Sequence, residues 1–419
     1  MNSFVLIVAS ILMFINTAGW VLIRKDLITP EVLISFLFGS IFFFAGIDQS
    51  ISLNIQPMAV FWLVCSIIGL SLASFSVSRN RALNKKGYTL TLTKNKSKIG
   101  VVILLIMANV IALLIINKAF FLGQHGPFDS FFMNIRWNVS YSEEKGYGLF
   151  LGYAKPFLLI LSLREYLLFV SINKRRLTDN LRLFFGFLPG IIVVFSSMGR
   201  GHVVLLVVAM LFIYIIMSGR LKVKSFVIAA VISFMVFVFI GAMLGKVHSD
   251  PGRSNLISSG AVSLTRYVTT PLVAWSQLFE KGSSLSGGYH TFRFVYAVAS
   301  KSGIISIAPM KTIRPHINVD GIRTNLYTFL EPYYKDFGVI GIIAFPLIIG
   351  LIVGRINYYI RKPEYDAKWL VLYGLSILPL ISIFGGETFF LNLSQWIQWF
   401  FWACILCHGW RLKTCIPQT

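Results

Sequence analysis

The feature that most narrows what this chain can fold into is a succession of apolar windows without a single Asp, Glu, Lys or Arg. Ile99 to Asn117 and Phe226 to Leu244 are two of them. A helix of about 20 apolar residues crosses the hydrocarbon layer of a membrane. A helix also satisfies its own backbone where no water is present. Charged residues make up only 13% of the chain, against about 25% in soluble domains. A soluble globular reading is therefore excluded.

Eleven spans are predicted, at 4–23, 32–47, 58–77, 99–118, 148–171, 183–197, 202–218, 225–245, 338–354, 369–386 and 393–410. The first has no basic residue ahead of it and no small-residue cleavage pattern behind it, so it reads as an uncleaved helix. The fifth carries Lys155, Arg164 and Glu165. The sixth and seventh meet in a tight hairpin at Ser197-Met198-Gly199-Arg200-Gly201. The expected fold class is all-α, a polytopic membrane protein with a large helical outer loop. Residues 1–245 would hold eight spans with a first outer loop at about 120–147, 246–337 the large loop, and 338–419 three spans and a short tail.

Basic residues orient these spans. If the loop after the third span is cytoplasmic, the loops on that side hold 22 of the 38 Lys and Arg, from Arg24 and Lys25 to Arg411 and Lys413. The short opposite loops hold only Arg200. Lys and Arg are retained on the cytoplasmic side, which puts the N-terminus outside and the C-terminus inside. The net charge of +22 follows mostly from this bias. It gives no reason to invoke nucleic acid, because no basic, aromatic-interleaved soluble module is present.

The large loop is rich in aromatic residues, which disordered segments lack. Helical spacing recurs at Leu256 to Phe279, Thr291 to Val298 and Leu326 to Tyr334, so a small helical cap is expected on the outer face. The loop holds ten Lys or Arg against five acids. Either an anion site or attraction to the anionic headgroups of inner-membrane lipids accounts for that excess. Arg200 is the sharpest candidate for an anion. Glycines flank it, and its planar fork suits phosphate oxygens; the alternative is an arginine snorkelling to the interface. Arg266, Arg293 and Arg323, each near aromatic residues, are further candidates for a pyrophosphate, or else surface charges. Arg136-Trp137 is a comparable pair in the first outer loop, and Lys155 is placed to line a polar cavity.

Five of the six histidines, His125, His202, His248, His290 and His316, fall on the outer side. His290, Glu331 and Asp336 are the leading candidates for a base. Asp336 would alternatively interact with the positive end of the ninth span, and His290 would alternatively be structural. No metal constellation and no Gly-rich phosphate loop occurs in the sequence, so no cofactor is expected. Cys404 and Cys407 have a metal-like spacing but no second pair, which fits packing.

The run Arg323-Thr324-Asn325-Leu326-Tyr327-Thr328-Phe329-Leu330-Glu331-Pro332-Tyr333-Tyr334-Lys335-Asp336-Phe337-Gly338-Val339-Ile340-Gly341 resembles the end of the large outer loop in Wzy-type O-antigen polymerases. Phe195-Ser196-Ser197-Met198-Gly199-Arg200-Gly201 resembles the small-residue and arginine hairpin of the same family. The resemblance implies a fold like that of membrane-embedded C-type glycosyltransferases, in the bacterial inner membrane with a periplasmic active site. It implies undecaprenyl-pyrophosphate-linked glycans as donor and acceptor, and admits a chain-length regulator as a partner. Arginines would then hold the pyrophosphate leaving group, and a His or carboxylate would take the acceptor proton. Tyr289, Tyr327, Tyr334 and Trp137 would position sugar rings. An O-antigen ligase and, more distantly, a flippase of lipid-linked glycans remain as alternative readings.

The orientation has a direct test. In a cysteine-free background, Leu90→Cys should be labelled only from the cytoplasm and Leu285→Cys from the periplasm. The reverse pattern at either position would overturn it.

Overall fold

The computed structural model of the chain describes residues 2–48, 55–78, 87–92, 98–140, 147–172, 176–196, 200–219, 256–307, 317–319 and 322–414, together with positions 228, 231 and 235. The predicted span at 225–245, and with it His248 and His316, lies outside the described residues except at those three positions. By contact the chain divides into two compact units. Unit 1 is Met1–Ala82, Ala261–Arg361 and Pro379–Ser394, and unit 2 is Leu83–Gly260, Lys362–Leu378 and Gln395–Thr419.

The elements are overwhelmingly helical. Unit 1 opens with α1 (Asn2–Arg24), α2 (Pro30–Ile47) and α3 (Pro57–Ser78). In unit 2, β1 (Tyr88–Leu92) precedes α4 (Lys98–Gln124), α5 (Phe131–Ser140), α6 (Gly148–Ser171), α7 (Leu177–Ser196) and α8 (Arg200–Ser218). There follow α9 (Leu256–Lys281), α10 (Arg293–Lys301), β2 (Ile317–Val319), β3 (Ile322–Thr324) and α11 (Glu331–Ile360). The chain ends with β4 (Glu364–Asp366), α12 (Ala367–Ser382), α13 (Leu393–Leu406) and β5 (Trp410–Thr414). Seven of the described helices are long and apolar enough to cross a membrane. The protein is thus a polytopic, helical membrane protein.

In unit 1, α11 lies against α3 at very short range. A Cβ on Gly350 would stand 2.3 Å from the Leu70 carbonyl oxygen, and one on Gly354 would stand 2.5 Å from that of Ser74. Ser66 Oγ donates to the Ile342 carbonyl at 2.7 Å. Inside lipid no hydrophobic force drives helices together, so small residues that allow backbones to touch supply the contact. At one end of these helices a buried polar network ties the loops. The Arg24 guanidinium meets Glu31 at 3.1 Å and the Ser78 carbonyl at 2.6 Å. Arg361 meets Asp26 at 2.8 Å. Residues assigned to one side of the membrane, Asp26 and Arg361, are therefore in contact.

In unit 2 two of the three ionic residues of the fifth predicted span, Arg164 and Glu165, are paired. Glu165 on α6 pairs with its neighbour Arg164 at 3.0 Å and with Arg182 on α7 at 2.6 Å. Gly186 and Gly190 of α7 leave room for Glu165 and Ser162, because a Cβ at either would come within 2.5 Å of those side chains. Pairing of this kind is what makes charges tolerable in a span.

Two features depart from an all-α expectation. β1, β5 and β4 form an antiparallel sheet with Tyr88 opposite Thr414 and Glu364 opposite Lys413. β2 and β3 pair as a hairpin with Ile317 opposite Thr324. Strands of one sheet must lie on one side of a bilayer, and all three strands of the first sheet come from loops that the basic residues assign to one side. Arg411 hydrogen-bonds Glu364 and holds its carboxyl below the usual range.

The glycine contact gives a prediction. Gly354→Leu should destabilise the protein by about 1–3 kcal/mol or more, as overpacked cores do, and lower the thermal midpoint in detergent. Gly19→Leu, at a position with nothing within 4 Å of an added Cβ, should leave the midpoint unchanged. Equal midpoints for both variants would contradict the packing argument.

Candidate functional site

The aspartate that opens the apolar part of α11 organises one region of unit 1. Gly338 has φ +59 and breaks α11 into two stretches. A residue with a side chain rarely adopts that conformation. The break sets residues 331–337 off from the spanning stretch. Asp336, only 2% exposed, accepts three hydrogen bonds there: from Ser286 Oγ at 2.8 Å and the His290 N–H at 3.1 Å on Oδ1, and from the Thr291 N–H at 2.6 Å on Oδ2. The Asp336 carboxylate thus seats the turn that carries Tyr289 and His290. Gly287 (φ +62) and Gly288 (φ +97) let that turn close, and the Tyr296 hydroxyl donates to the Gly287 carbonyl at 3.2 Å.

The remaining candidates of unit 1 have distinct surroundings. Glu331 forms an ion pair with Lys335 at 2.7 Å. The imidazole of His290 stands edge-on to Tyr289 at 5.3 Å and is half-buried. Tyr289 is half-buried against Tyr296 at 5.5 Å. Tyr327 is buried, with the Lys335 ammonium 5.6 Å over its ring. Tyr334 is buried and stacked on Phe279 at 5.2 Å, with Trp275 at 5.5 Å. Arg293 begins α10. Arg266 lies in α9 and Arg323 in β3, and both side chains lie outside the described residues.

Sequence reasoning missed Glu387, which is 4% exposed. Its Oε1 accepts the N–H groups of Phe389 at 2.5 Å and Phe390 at 3.0 Å, and its Oε2 that of Leu391 at 2.7 Å. Burial pushes this carboxyl up, while the backbone bonds and Tyr333 pull it down. The available signal was that Glu387 is the sole acid between Trp369 and Trp410. Its turn presents Phe390 to Phe345 at 5.1 Å and to Phe292 at 6.0 Å. Phe337 joins the same aromatic group, 5.3 Å from Phe345. Asp336, Phe337 and Gly338 therefore act respectively as anchor, aromatic contact and chain break.

In unit 2, Arg200 opens α8 and its side chain lies outside the described residues. Tyr147, just before α6, donates its hydroxyl to the Ser196 carbonyl at 2.6 Å. The Lys155 ammonium lies over the Tyr147 ring, 3.5 Å from its centroid. Arg136 and Trp137 sit on α5, where Trp137 is exposed and edge-on to Phe128 at 5.7 Å. Asn134 and Asn138 hold the segment between α4 and α5 folded, through bonds to Gly123, Phe128 and Leu122 carbonyls at 2.8 to 3.2 Å.

The anchor role predicts a local effect. Asp336→Ala would leave buried N–H groups unpaired, each costing about 1–3 kcal/mol. Amide hydrogen exchange at His290 and Thr291 should accelerate while that of α3 stays unchanged. Exchange at wild-type rates would contradict the anchor.

No protein-family model and no solved structure matches the chain. Among curated proteins, the O-antigen polymerase of Shigella dysenteriae is 27% identical over 197 residues, 46% of this chain and 49% of the relative. The chain thus aligns with about half the length of that protein. The putative O-antigen polymerase of Escherichia coli (strain K12) is 21% identical over 399 residues, 93% of this chain and 94% of the relative. The chain is thus similar, over nearly its whole length in one case, to proteins named as O-antigen polymerases, in line with the family that its run from Arg323 to Gly341 resembles.

Proposed function

We propose that the protein polymerises undecaprenyl-pyrophosphate-linked oligosaccharide repeat units into O-antigen or a related surface polysaccharide, at the periplasmic face of the inner membrane. The observation that carries this reading is the likeness to O-antigen polymerases along nearly the whole chain. The arrangement around Asp336, at the centre of the resembling run, supports it.

In the proposed reaction an acceptor sugar hydroxyl attacks the anomeric carbon of the growing chain. The bond from that carbon to the pyrophosphate oxygen breaks, and undecaprenyl pyrophosphate leaves. The proton of the acceptor goes to a base. Of the three candidates, Glu331 is paired with Lys335 and Asp336 is engaged by the 286–291 turn. His290 is the base in this reading and Asp336 its positioning residue. Arg266, Arg293 and Arg323 are the candidates of unit 1, and Arg200 the candidate of unit 2, for stabilising charge on the leaving pyrophosphate. Tyr289, Arg136 and Trp137 meet sugar rings, whereas the buried Tyr327 and Tyr334 support the fold around them. The donor is already activated, so the transfer requires neither nucleotide nor metal.

A deletion strain should carry single repeat units on its lipopolysaccharide or capsule precursor, with no ladder of longer chains. Complementation with the wild type should restore the ladder. Neither Arg200→Ala nor Arg200→Lys should do so, because lysine lacks the bidentate fork. Long polymers accumulating on undecaprenyl pyrophosphate would point to a ligase, and single units held on the cytoplasmic face to a flippase. Either result would overturn the proposal.

A further inference from the structure

The first turns of the spanning stretch of α11 fix the height of whatever packs beside them. Val339 to Gly354 are 16 residues without a charged side chain. As a helix they measure about 24 Å, against a hydrocarbon layer of about 30 Å. Even the Val339 end therefore cannot stand clear of the lipid. α11 is among the helices long and apolar enough to cross a membrane, and Ile340 in its first turn past the break is 76% exposed. A Cβ on Gly338 would stand 3.5 Å from Leu285 Cδ2, and Leu285 is itself 67% exposed. The segment that follows α9 thus meets α11 at the edge of the hydrocarbon layer.

α10 starts at the same height. Phe292, the residue before it, has its ring centroid 6.4 Å from that of Phe337 and 5.8 Å from that of Phe345. The bond from the Tyr296 hydroxyl to the Gly287 carbonyl ties the helix to the preceding turn. None of the nine residues of α10 is buried. Val295 and Val298, three residues apart on the helix, are exposed, and so are Ile304 and Ile307 beyond Gly303 (φ +73). Facing water, these side chains would forgo the gain that apolar burial brings.

Charge narrows the partner. From Lys281 to Val319 the chain holds five Lys or Arg and no Asp or Glu, and Lys281 and Lys301 are exposed. A short helix with exposed apolar residues, bordered by cations, suits the headgroup layer of a bilayer that carries negative lipids. Continuity with the lipid-facing Ile340 favours lipid over a protein partner.

We propose that the segment from Lys281 to Ile307 is seated in an anionic membrane surface. Leu285, Val295, Val298, Ile304 and Ile307 enter the boundary between headgroups and acyl chains, and Lys281 and Lys301 meet lipid phosphates. This lipid contact is not a substrate site and does not depend on the polymerase reading. Its consequence is that the turn carrying Tyr289 and His290 is held at headgroup height.

The test uses the full-length chain freed of its own cysteines, with single cysteines labelled with bimane in nanodiscs. Val298→Cys and Ile304→Cys probe the segment. Ile340→Cys is the lipid reference, and Glu280→Cys, exposed at the end of α9, is the water reference. Quenching is read with a doxyl group on the lipid chain and with aqueous iodide. Both probes should follow Ile340→Cys, and more strongly with phosphatidylglycerol present than in phosphatidylcholine alone. Adding Lys301→Gln should lower the docked-to-undocked ratio in phosphatidylglycerol about fivefold, since one basic residue at an anionic surface is worth about 1 kcal/mol. Thermal midpoints check that each variant is folded, and Val295→Cys replaces a probe that does not fold. Iodide quenching like that of Glu280→Cys at either probe would overturn the proposal. Protection from both quenchers, as a second copy of the chain covering the segment would give, would overturn it as well. Equal lipid quenching with and without phosphatidylglycerol would overturn the anionic assignment. A failed polymerase reading would leave every one of these results unchanged.

Discussion

The close approach of α11 to α3 is the contact on which the architecture of unit 1 depends. Lipid tails are as apolar as leucine, so helices inside a membrane gain little from merely burying side chains. They gain from fitting backbones together. Gly350 and Gly354 bring α11 to within touching distance of the Leu70 and Ser74 carbonyls, and Ser66 adds a hydrogen bond to Ile342. With the spanning stretch fixed in this way, the break at Gly338 decides where residues 331–337 go. Asp336 then decides where the 286–291 turn goes. A packing constraint inside the membrane is thereby carried to a half-exposed histidine and tyrosine outside the apolar stretch.

Buried charge follows a common rule in both units. Glu31, Glu165, Asp336 and Glu387 are each almost fully buried, and each is met by cations or by N–H and O–H donors. Leaving such a group without partners costs far more than the pairing gains, which is why these acids hold loops and helix ends in register. Arg24 and Arg361 do the same for the loops at the other end of unit 1.

Much of the fold was legible because the membrane imposes one demand on every span. Charge-free windows located α1 to α4, and the loops grouped by their basic residues supply all three strands of the β1–β5–β4 sheet and both members of the Asp26–Arg361 pair. The small sheet was not legible: Tyr88–Leu92, Glu364–Asp366 and Trp410–Thr414 are short and far apart in sequence, and their pairing exists only once the helices between them are packed. The helical spacing from Leu256 to Phe279 is carried by α9, which runs through Pro271 to Lys281. The site was legible in composition more than in geometry. The sequence marked Asp336, His290 and Glu331 as neighbours in chemistry. It could not show that Asp336 spends its oxygens on Ser286, His290 and Thr291, because that bond spans about 50 residues of chain. Tyr327 and Tyr334 look like sugar platforms by type, and only packing against Phe279, Trp275 and Lys335 reveals them as buried.

The central claim is that this protein lengthens a lipid-linked glycan by itself. Purified protein in detergent or liposomes, given only undecaprenyl-pyrophosphate-linked repeat units and a chelator, tests it most directly when the products are separated by length. The account predicts a ladder of chains still attached to undecaprenyl pyrophosphate, lost in the His290→Ala variant. Transfer that begins only when lipid A-core is added as acceptor would contradict it.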